Sequence, residues 1–152
     1  MIVKATFSDA EKLTEIALKS KAYWGYSKAE IESWREELTI TSKMFEDFST
    51  YKFLVNNKIV GFYILNRVNI RTSFLEFLFV HPNYIQQGIG RQLLAHAIAF
   101  CIGGSSAILN VLSDPNAEAF YAKHGFKVIG RRESSIPGRL LPEMELEFPE
   151  NM

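Results

Sequence analysis

The sequence predicts a mixed α/β (α+β) fold: a mixed, mostly antiparallel sheet of about six to seven strands, flanked by about four helices. Three observations predict it. The hydrophobic period switches from helical spacing to strand alternation near Tyr51. Three consecutive strand-like runs then form a meander. A strand–helix–strand unit follows, which calls for one parallel pair and helices on both faces of the sheet.

The elements come in order. Ile2–Phe7 alternates apolar and polar residues and reads as a strand. Ser8-Asp-Ala-Glu11 has the spacing of a capping box, which opens a helix carrying Leu13, Ile16, Ala17 and Ala22 on one face. Tyr23-Trp-Gly-Tyr26 interrupts it. Ser27-Lys-Ala-Glu30 is a second capping box, opening a helix with Ile31, Trp34 and Leu38 at helical spacing. Tyr51–Val55 and Lys58–Val68 form a hairpin around Asn56-Asn57, residues tolerant of positive φ. Phe74–Val80 is the third strand, ended by Pro82. Gly88–Ile102 is a helix, with Ile89, Leu93, Leu94, Ala97, Ile98 and Cys101 on its buried side, stopped at Gly103-Gly104. Ala107–Leu112 is a strand, and Asp114-Pro115 starts a short helix that ends at Gly125. Phe126–Gly130 and Met144–Phe148 close the sheet.

At 152 residues the chain has the length of a single domain, expected over 1–152, with no need of disulfide or metal staples. Seventeen basic residues balance seventeen acidic ones, so no bulk attraction draws the chain to nucleic acid or to an anionic membrane. The longest apolar runs are too short to span a bilayer, and the N-terminus lacks a signal-peptide pattern. One cysteine, Cys101, fits a reducing cytoplasm and allows no internal disulfide. His81, His96 and His124 lack metal-ligand spacing, so no metal is expected. Edge strands and aromatics are compatible with a homodimer.

The densest chemical signal is Phe79-Val-His-Pro-Asn-Tyr-Ile-Gln-Gln-Gly-Ile-Gly-Arg91. A strand runs into a turn whose glycines open a helix. Such a turn aims several N–H groups at one spot, and the helix terminus adds positive potential. Leu93 stands where a dinucleotide fingerprint needs its third glycine, and no Gly-Lys-Ser/Thr follows, so the Rossmann and P-loop readings both fall. Downstream, Asp114-Pro-Asn-Ala-Glu-Ala-Phe-Tyr-Ala-Lys-His-Gly-Phe126 is a short helix feeding a strand.

With these two motifs the chain resembles the GNAT superfamily of N-acetyltransferases. Val80 to Arg91 is similar to the family's acetyl-coenzyme A motif. Asn116, Ala119, Tyr121, Lys123, Gly125 and Phe126 match its second motif approximately, with Tyr121 two residues after Ala119. The order of elements agrees over nearly the whole chain. The resemblance implies acetyl-CoA as cosubstrate and direct attack by an amine in a ternary complex. The acceptor is a small molecule or a protein amine. It assigns the diphosphate loop to Ile85, Gln86, Gln87, Gly88, Ile89, Gly90 and Arg91, and pantetheine contacts to the backbone at Phe79 and Val80 and to Asn116. It departs from the family at Ile85, where Gln or Arg is usual, and at Gln86 and Gln87, which replace the usual Gly and a basic residue. Mostly main-chain phosphate contacts let the cradle survive; the missing positive charge weakens it, and Arg91 offsets this in part. A non-catalytic acyl-CoA binding or sensing module is the alternative.

Two residues are candidates for proton transfer. The resemblance places Tyr121 near the coenzyme sulfur, where it protonates the departing thiolate. Adjacent aromatics cannot face the same way, so Phe120 is expected in the core and Tyr121 in the cleft. Glu76 stands in an apolar strand, where desolvation raises a carboxyl pKa and suits a base acting directly or through water; it reads equally as a strand-end carboxylate paired with Arg or facing solvent. Tyr23, Trp24 and Tyr26 lie where the family places acceptor specificity and are substrate-binding candidates, with packing of the helical hairpin as the plainer reading. Arg139 reads as a solvated loop side chain or as a holder of an acidic acceptor group.

Overall fold

The computed structural model describes residues 1–149; the last three positions of the domain expected over 1–152 lie outside them. In chain order the elements are β1 (Ile2–Lys4), α1 (Ala10–Tyr23), α2 (Lys28–Ser33), α3 (Arg35–Leu38), α4 (Ser42–Asp47), β2 (Ser49–Val55), β3 (Lys58–Arg67), β4 (Thr72–Val80), α5 (Ile89–Gly103), β5 (Ile108–Leu112), α6 (Glu118–Lys123), β6 (Lys127–Glu133) and β7 (Leu140–Glu147). Short 3-10 turns precede α1, α5 and α6. The seven strands hydrogen-bond in the order β1-β2-β3-β4-β5-β7-β6. Only β4–β5 is parallel among the registers resolved, as the strand–helix–strand unit requires. Fold class and strand number agree with the sequence expectation.

Two compact units form. The first is Met1–Leu65 with Phe77–Ala97; the second is Asn66–Glu76 with the chain from Ile98 onward. In the first, α1 buries Leu13, Ile16 and Ala17, the positions its spacing selected. Each large apolar side chain so buried is worth about 1.5–3 kcal/mol relative to exposure. The hairpin β2–β3 turns at Asn56 and Asn57, with φ of 50° and 64°. That is the left-handed pair a tight hairpin needs. Tyr63 donates to or accepts from His96 Nδ1 at 2.7 Å, which ties α5 to β3.

In the second unit, β4 pairs with β5 from Thr72↔Ile108 to Leu75↔Val111. β5 then pairs with β7, and β7 with β6. Leu75, Leu109, Val111 and Met144 are buried, as is Cys101, whose thiol pKa burial pushes up. The Ser73 and Ser106 hydroxyls satisfy each other at 2.8 Å.

Several elements differ from the sequence reading. The box expected at Ser8–Glu11 is replaced by one two residues earlier: the Thr6 N–H donates to Asp9 Oδ2 at 3.0 Å. Asp9 is held there by Lys52 at 2.8 Å, a partner on β2 that local sequence does not reveal. The Ser27 box forms as expected, with Glu30 N–H donating to Ser27 Oγ at 3.1 Å and Ser27 N–H to Glu30 Oε1 at 2.8 Å. The helix it opens breaks at Trp34 into α2 and α3. Trp34 is buried edge-on against Tyr26, ring centroids 4.8 Å apart, at φ −99° and ψ 0°. The helix α4 was not expected; Phe45 packs edge-on against Phe7 at 5.9 Å, a contact distant in sequence. Six helices therefore stand where four were expected.

Candidate functional site

The glycine turn lies in the first unit. The strand β4 ends at Val80, and His81 N–H donates to the Val60 carbonyl at 2.7 Å. His81 Nδ1 then accepts the Asn83 N–H at 3.1 Å, and Tyr84 N–H returns to the His81 carbonyl at 2.8 Å. Burial first, and the ammonium groups of Lys19 and Lys12 next, push His81 below the usual histidine range. The neutral ring this favours is the form that accepts at Nδ1.

Ile85 is extended, with φ −69° and ψ 159°. Gln86 then takes φ 63° and Gly88 takes φ 78°, both left-handed. Gln86 thus adopts the conformation that glycine would hold without penalty. The first i+4 bond of the following helix runs from Gln92 N–H to the Gly88 carbonyl at 3.0 Å. The N–H groups of Ile89, Gly90 and Arg91 therefore precede the intrahelical ladder and have no acceptor within it. The positive end of the 15-residue helix α5 lies at the same place. A Cβ built on Gly88 would lie 3.5 Å from Arg91 Nη2, so the guanidinium lies beside the turn. Gln86 and Gln87 are exposed and Ile85 is half-buried. Phe79 and Val80, expected to offer backbone to pantetheine, are half-buried at the end of β4.

The candidates at the α1–α2 connection behave differently from one another. Tyr23 and Trp24 form an edge-on pair, centroids 5.1 Å apart, and Trp24 is 48% exposed. Tyr26 instead packs on Trp34. Lys21 Nζ sits 5.6 Å from the Trp34 ring centroid and 6.0 Å from that of Phe79.

The second unit carries the other candidates. Glu76 is exposed, and its Oε2 accepts from Asn66 Nδ2 at 3.1 Å. The premise of a desolvated carboxylate is overturned: alternation puts Ser73, Leu75 and Phe77 on the buried side of β4, and Glu76 on the open one. The expected division of Phe120 and Tyr121 is also reversed in burial. Tyr121 is 5% exposed and Phe120 half-buried. The Tyr121 ring packs edge-on against Phe120 at 5.1 Å and Phe126 at 5.3 Å. Burial pushes its phenol well above the ordinary tyrosine range, so it holds its proton at neutral pH. Asn116 is exposed, and its backbone N–H and Nδ2 donate to Asp114 Oδ1 at 2.8 and 2.9 Å.

Arg139 corrects the reading of a solvated side chain. Its Nη2 donates to Asp114 Oδ2 at 2.8 Å, with the two side chains 13% and 10% exposed. Asp114 thus caps the turn into α6 with one oxygen and fixes the β6–β7 loop with the other. The 25-residue separation hides this pair from local reading. Among the described residues no group of three or more His, Cys, Asp or Glu side chains could hold a metal ion, and no helix is long and apolar enough to cross a membrane.

Comparison with known proteins bears on the same elements. A peptidyl-lysine N-acetyltransferase, YjaB of Salmonella typhimurium, is 34% identical over 92 residues, which are 59% of this chain and 57% of that protein. The chain thus spans little more than half the length of that relative. The PaiA N-acetyltransferase of Thermoplasma acidophilum, solved in complex with coenzyme A, superposes with a TM-score of 0.81 at 24% identity, covering 97% of this chain and 98% of that one. A GCN5-related N-acetyltransferase of Rhodopseudomonas palustris gives 0.81 at 21% identity, covering 97% and 95%. These two likenesses establish the fold. The model of the acetyltransferase (GNAT) domain matches residues 8–148, nearly the whole chain, and the protein accordingly belongs to the GNAT acetyltransferase family.

Proposed function

We propose that this chain, as one domain over 1–152, transfers the acetyl group of acetyl-CoA to a primary amine by direct attack in a ternary complex. The acceptor is a small-molecule amine or a protein lysine; the lysine reading draws support from the peptidyl-lysine N-acetyltransferase to which the chain is 34% identical. The observation that carries the proposal is the pair of left-handed residues, Gln86 and Gly88, leading into the first turn of α5. That conformation clusters N–H donors at a helix terminus, the arrangement that receives a diphosphate.

The N–H groups of Ile85–Arg91 hold the diphosphate, with the Arg91 guanidinium beside them. The backbone at Phe79 and Val80 receives the pantetheine arm, as does the Asn116 carboxamide. Tyr23, Trp24 and Tyr26 flank the acceptor. An alkyl ammonium with reference pKa ~10.4 must shed a proton before attack, at a cost of about 4–5 kcal/mol at neutral pH. Glu76, exposed and held by Asn66, accepts that proton through water. The amine nitrogen then forms its bond to the acetyl carbon and the carbon–sulfur bond breaks. The Tyr121 phenol, which keeps its proton until then, donates it to the departing sulfur, and the second amine proton, shed from nitrogen as the amide forms, returns to the phenol oxygen.

Balanced charge and a reducing compartment complete the proposal: a cytoplasmic enzyme that binds neither nucleic acid nor membrane. The test is thiol release from acetyl-CoA over a panel of polyamines, amino sugars and lysine peptides. Turnover on one class, lost in Tyr121→Phe, supports the enzyme. Tight acetyl-CoA binding with no turnover on any amine supports the sensing module, whose favouring observation is the uncharged Ile85-Gln86-Gln87 run.

A further inference from the structure

The pairing of β3 with β2 is irregular at one place. Phe53 pairs with Gly61 and Leu54 with Ile59, so Val60 is an extra residue bulged from the ladder. A bulge frees the extra residue's backbone groups from strand pairing. Here the Val60 carbonyl accepts the His81 N–H at 2.7 Å, and His81 is the first residue of the segment that carries the glycine turn. The next residue, Gly61, has no side chain where three elements meet. A Cβ built on it would lie 3.0 Å from the Phe79 carbonyl oxygen, 3.1 Å from Leu93 Cδ1 and 3.4 Å from Ile89 Cγ2. Val60, Ile89 and Leu93 are all buried, so nothing around the bulge has room to give freely.

We infer that the Val60–Gly61 bulge is a positioning device for the diphosphate cradle: its carbonyl fixes where the loop leaves β4, and the absent side chain at Gly61 sets how deeply the amino end of α5 seats beside Phe79. The inference rests on residues 85–91 being that cradle. Gly61 acts through Phe79, Ile89 and Leu93, and is a positioning residue. A methyl group there must displace a backbone oxygen or the first two turns of α5 by a few tenths of an ångström. The N–H donors of Ile89–Arg91 move with the helix, and hydrogen bonds weaken steeply when misaligned.

The test titrates coenzyme A calorimetrically into Gly61→Ala, with a melting curve to place the titration below unfolding. Affinity is expected to fall at least fivefold. Leu93→Val, which removes the atom 3.1 Å from the new methyl, is expected to bring the double variant back within fivefold of wild type. Gly103→Ala, whose Cβ meets open space, is the control and leaves affinity unchanged. A folded Gly61→Ala protein within twofold of wild type overturns the inference, as does a loss that Leu93→Val does not reduce. If Gly61→Ala alone does not fold, the double variant decides on the same fivefold line. A wild-type protein that fails to bind coenzyme A refutes the cradle itself, which is a separate result.

Discussion

Gly88→Ala isolates the conformation of the turn from its space. The Cβ would lie 3.5 Å from Arg91 Nη2, an ordinary contact, so no atom blocks it. What the substitution meets is φ 78°. An L-residue pays ~1–2 kcal/mol to hold the left-handed region. In the free protein the exposed loop can escape that cost by relaxing, and alanine also lowers the entropy of the unfolded chain. Thermal stability should therefore change little. Binding demands the strained shape again, so the cost reappears in affinity. At 1.4 kcal/mol per decade, 1–2 kcal/mol is about 5–30-fold weaker binding. Calorimetric titration of acetyl-CoA into wild type and variant at one ionic strength reads this out. A folded Gly88→Ala protein with affinity within twofold of wild type would refute the reasoning, because the turn would not need its left-handed residue to bind.

The other expectations probe the remaining candidates. Gln86→Gly removes the same kind of cost in a residue that already bears it, ~1–2 kcal/mol, less ~0.4–1 kcal/mol of unfolded-state entropy. The melting temperature should hold or rise by a few degrees, and a clear fall contradicts the strain. Tyr121→Phe keeps the ring among Phe120 and Phe126 and should lower kcat at least tenfold with the KM for acetyl-CoA within twofold. It should also change alkaline stability. A folded-state pKa above the ordinary value of about 10 means the unfolded chain ionises first, so stability is complete below pH ~10 and falls as pH rises beyond it. The phenylalanine variant should lose part of that slope, and an unaltered slope excludes a buried phenol. Arg139→Met takes the cation from a largely covered Asp114 carboxylate, leaving its hydrogen bonds from Asn116, and should cost ~3 kcal/mol, or roughly 6 °C or more in melting temperature. A drop under 2 °C would mean the pair is not held in solution. Glu76→Gln should slow turnover most at low pH, with the deficit shrinking towards the acceptor's own pKa as free amine becomes abundant; a deficit constant with pH removes Glu76 as base.

Local chemistry carried the legible part of this molecule. The Ser27–Glu30 box, the Asn56-Asn57 hairpin and the Gly88 turn each lie within a few residues, and periodicity alone selected Leu13, Ile16 and Ala17 in α1 and Leu93 and Leu94 in α5. What escaped reading depends on partners far along the chain. Asp9 caps because Lys52 holds it, Trp34 breaks its helix where Tyr26 receives it, and the Arg139 side chain is drawn out of solvent because Asp114 lies opposite. Gly61 looks like any strand glycine until Phe79, Ile89 and Leu93 converge on it. The exposure of Glu76 is one of two readings the sequence leaves open, because an apolar strand need not be covered on both faces, and the side of β4 that carries it is only half covered. Adjacency on the helix separates Phe120 from Tyr121 but does not say which is buried; the packing of Tyr121 on Phe126 decides it.

A backbone amide titration followed by nuclear magnetic resonance, with coenzyme A as titrant, reads the anion cradle residue by residue. The N–H signals of Gln87, Gly88, Ile89 and Gly90 should move furthest and become protected from exchange at saturation. If those four stay fixed while coenzyme A binds elsewhere on the chain, the glycine turn does not hold the diphosphate.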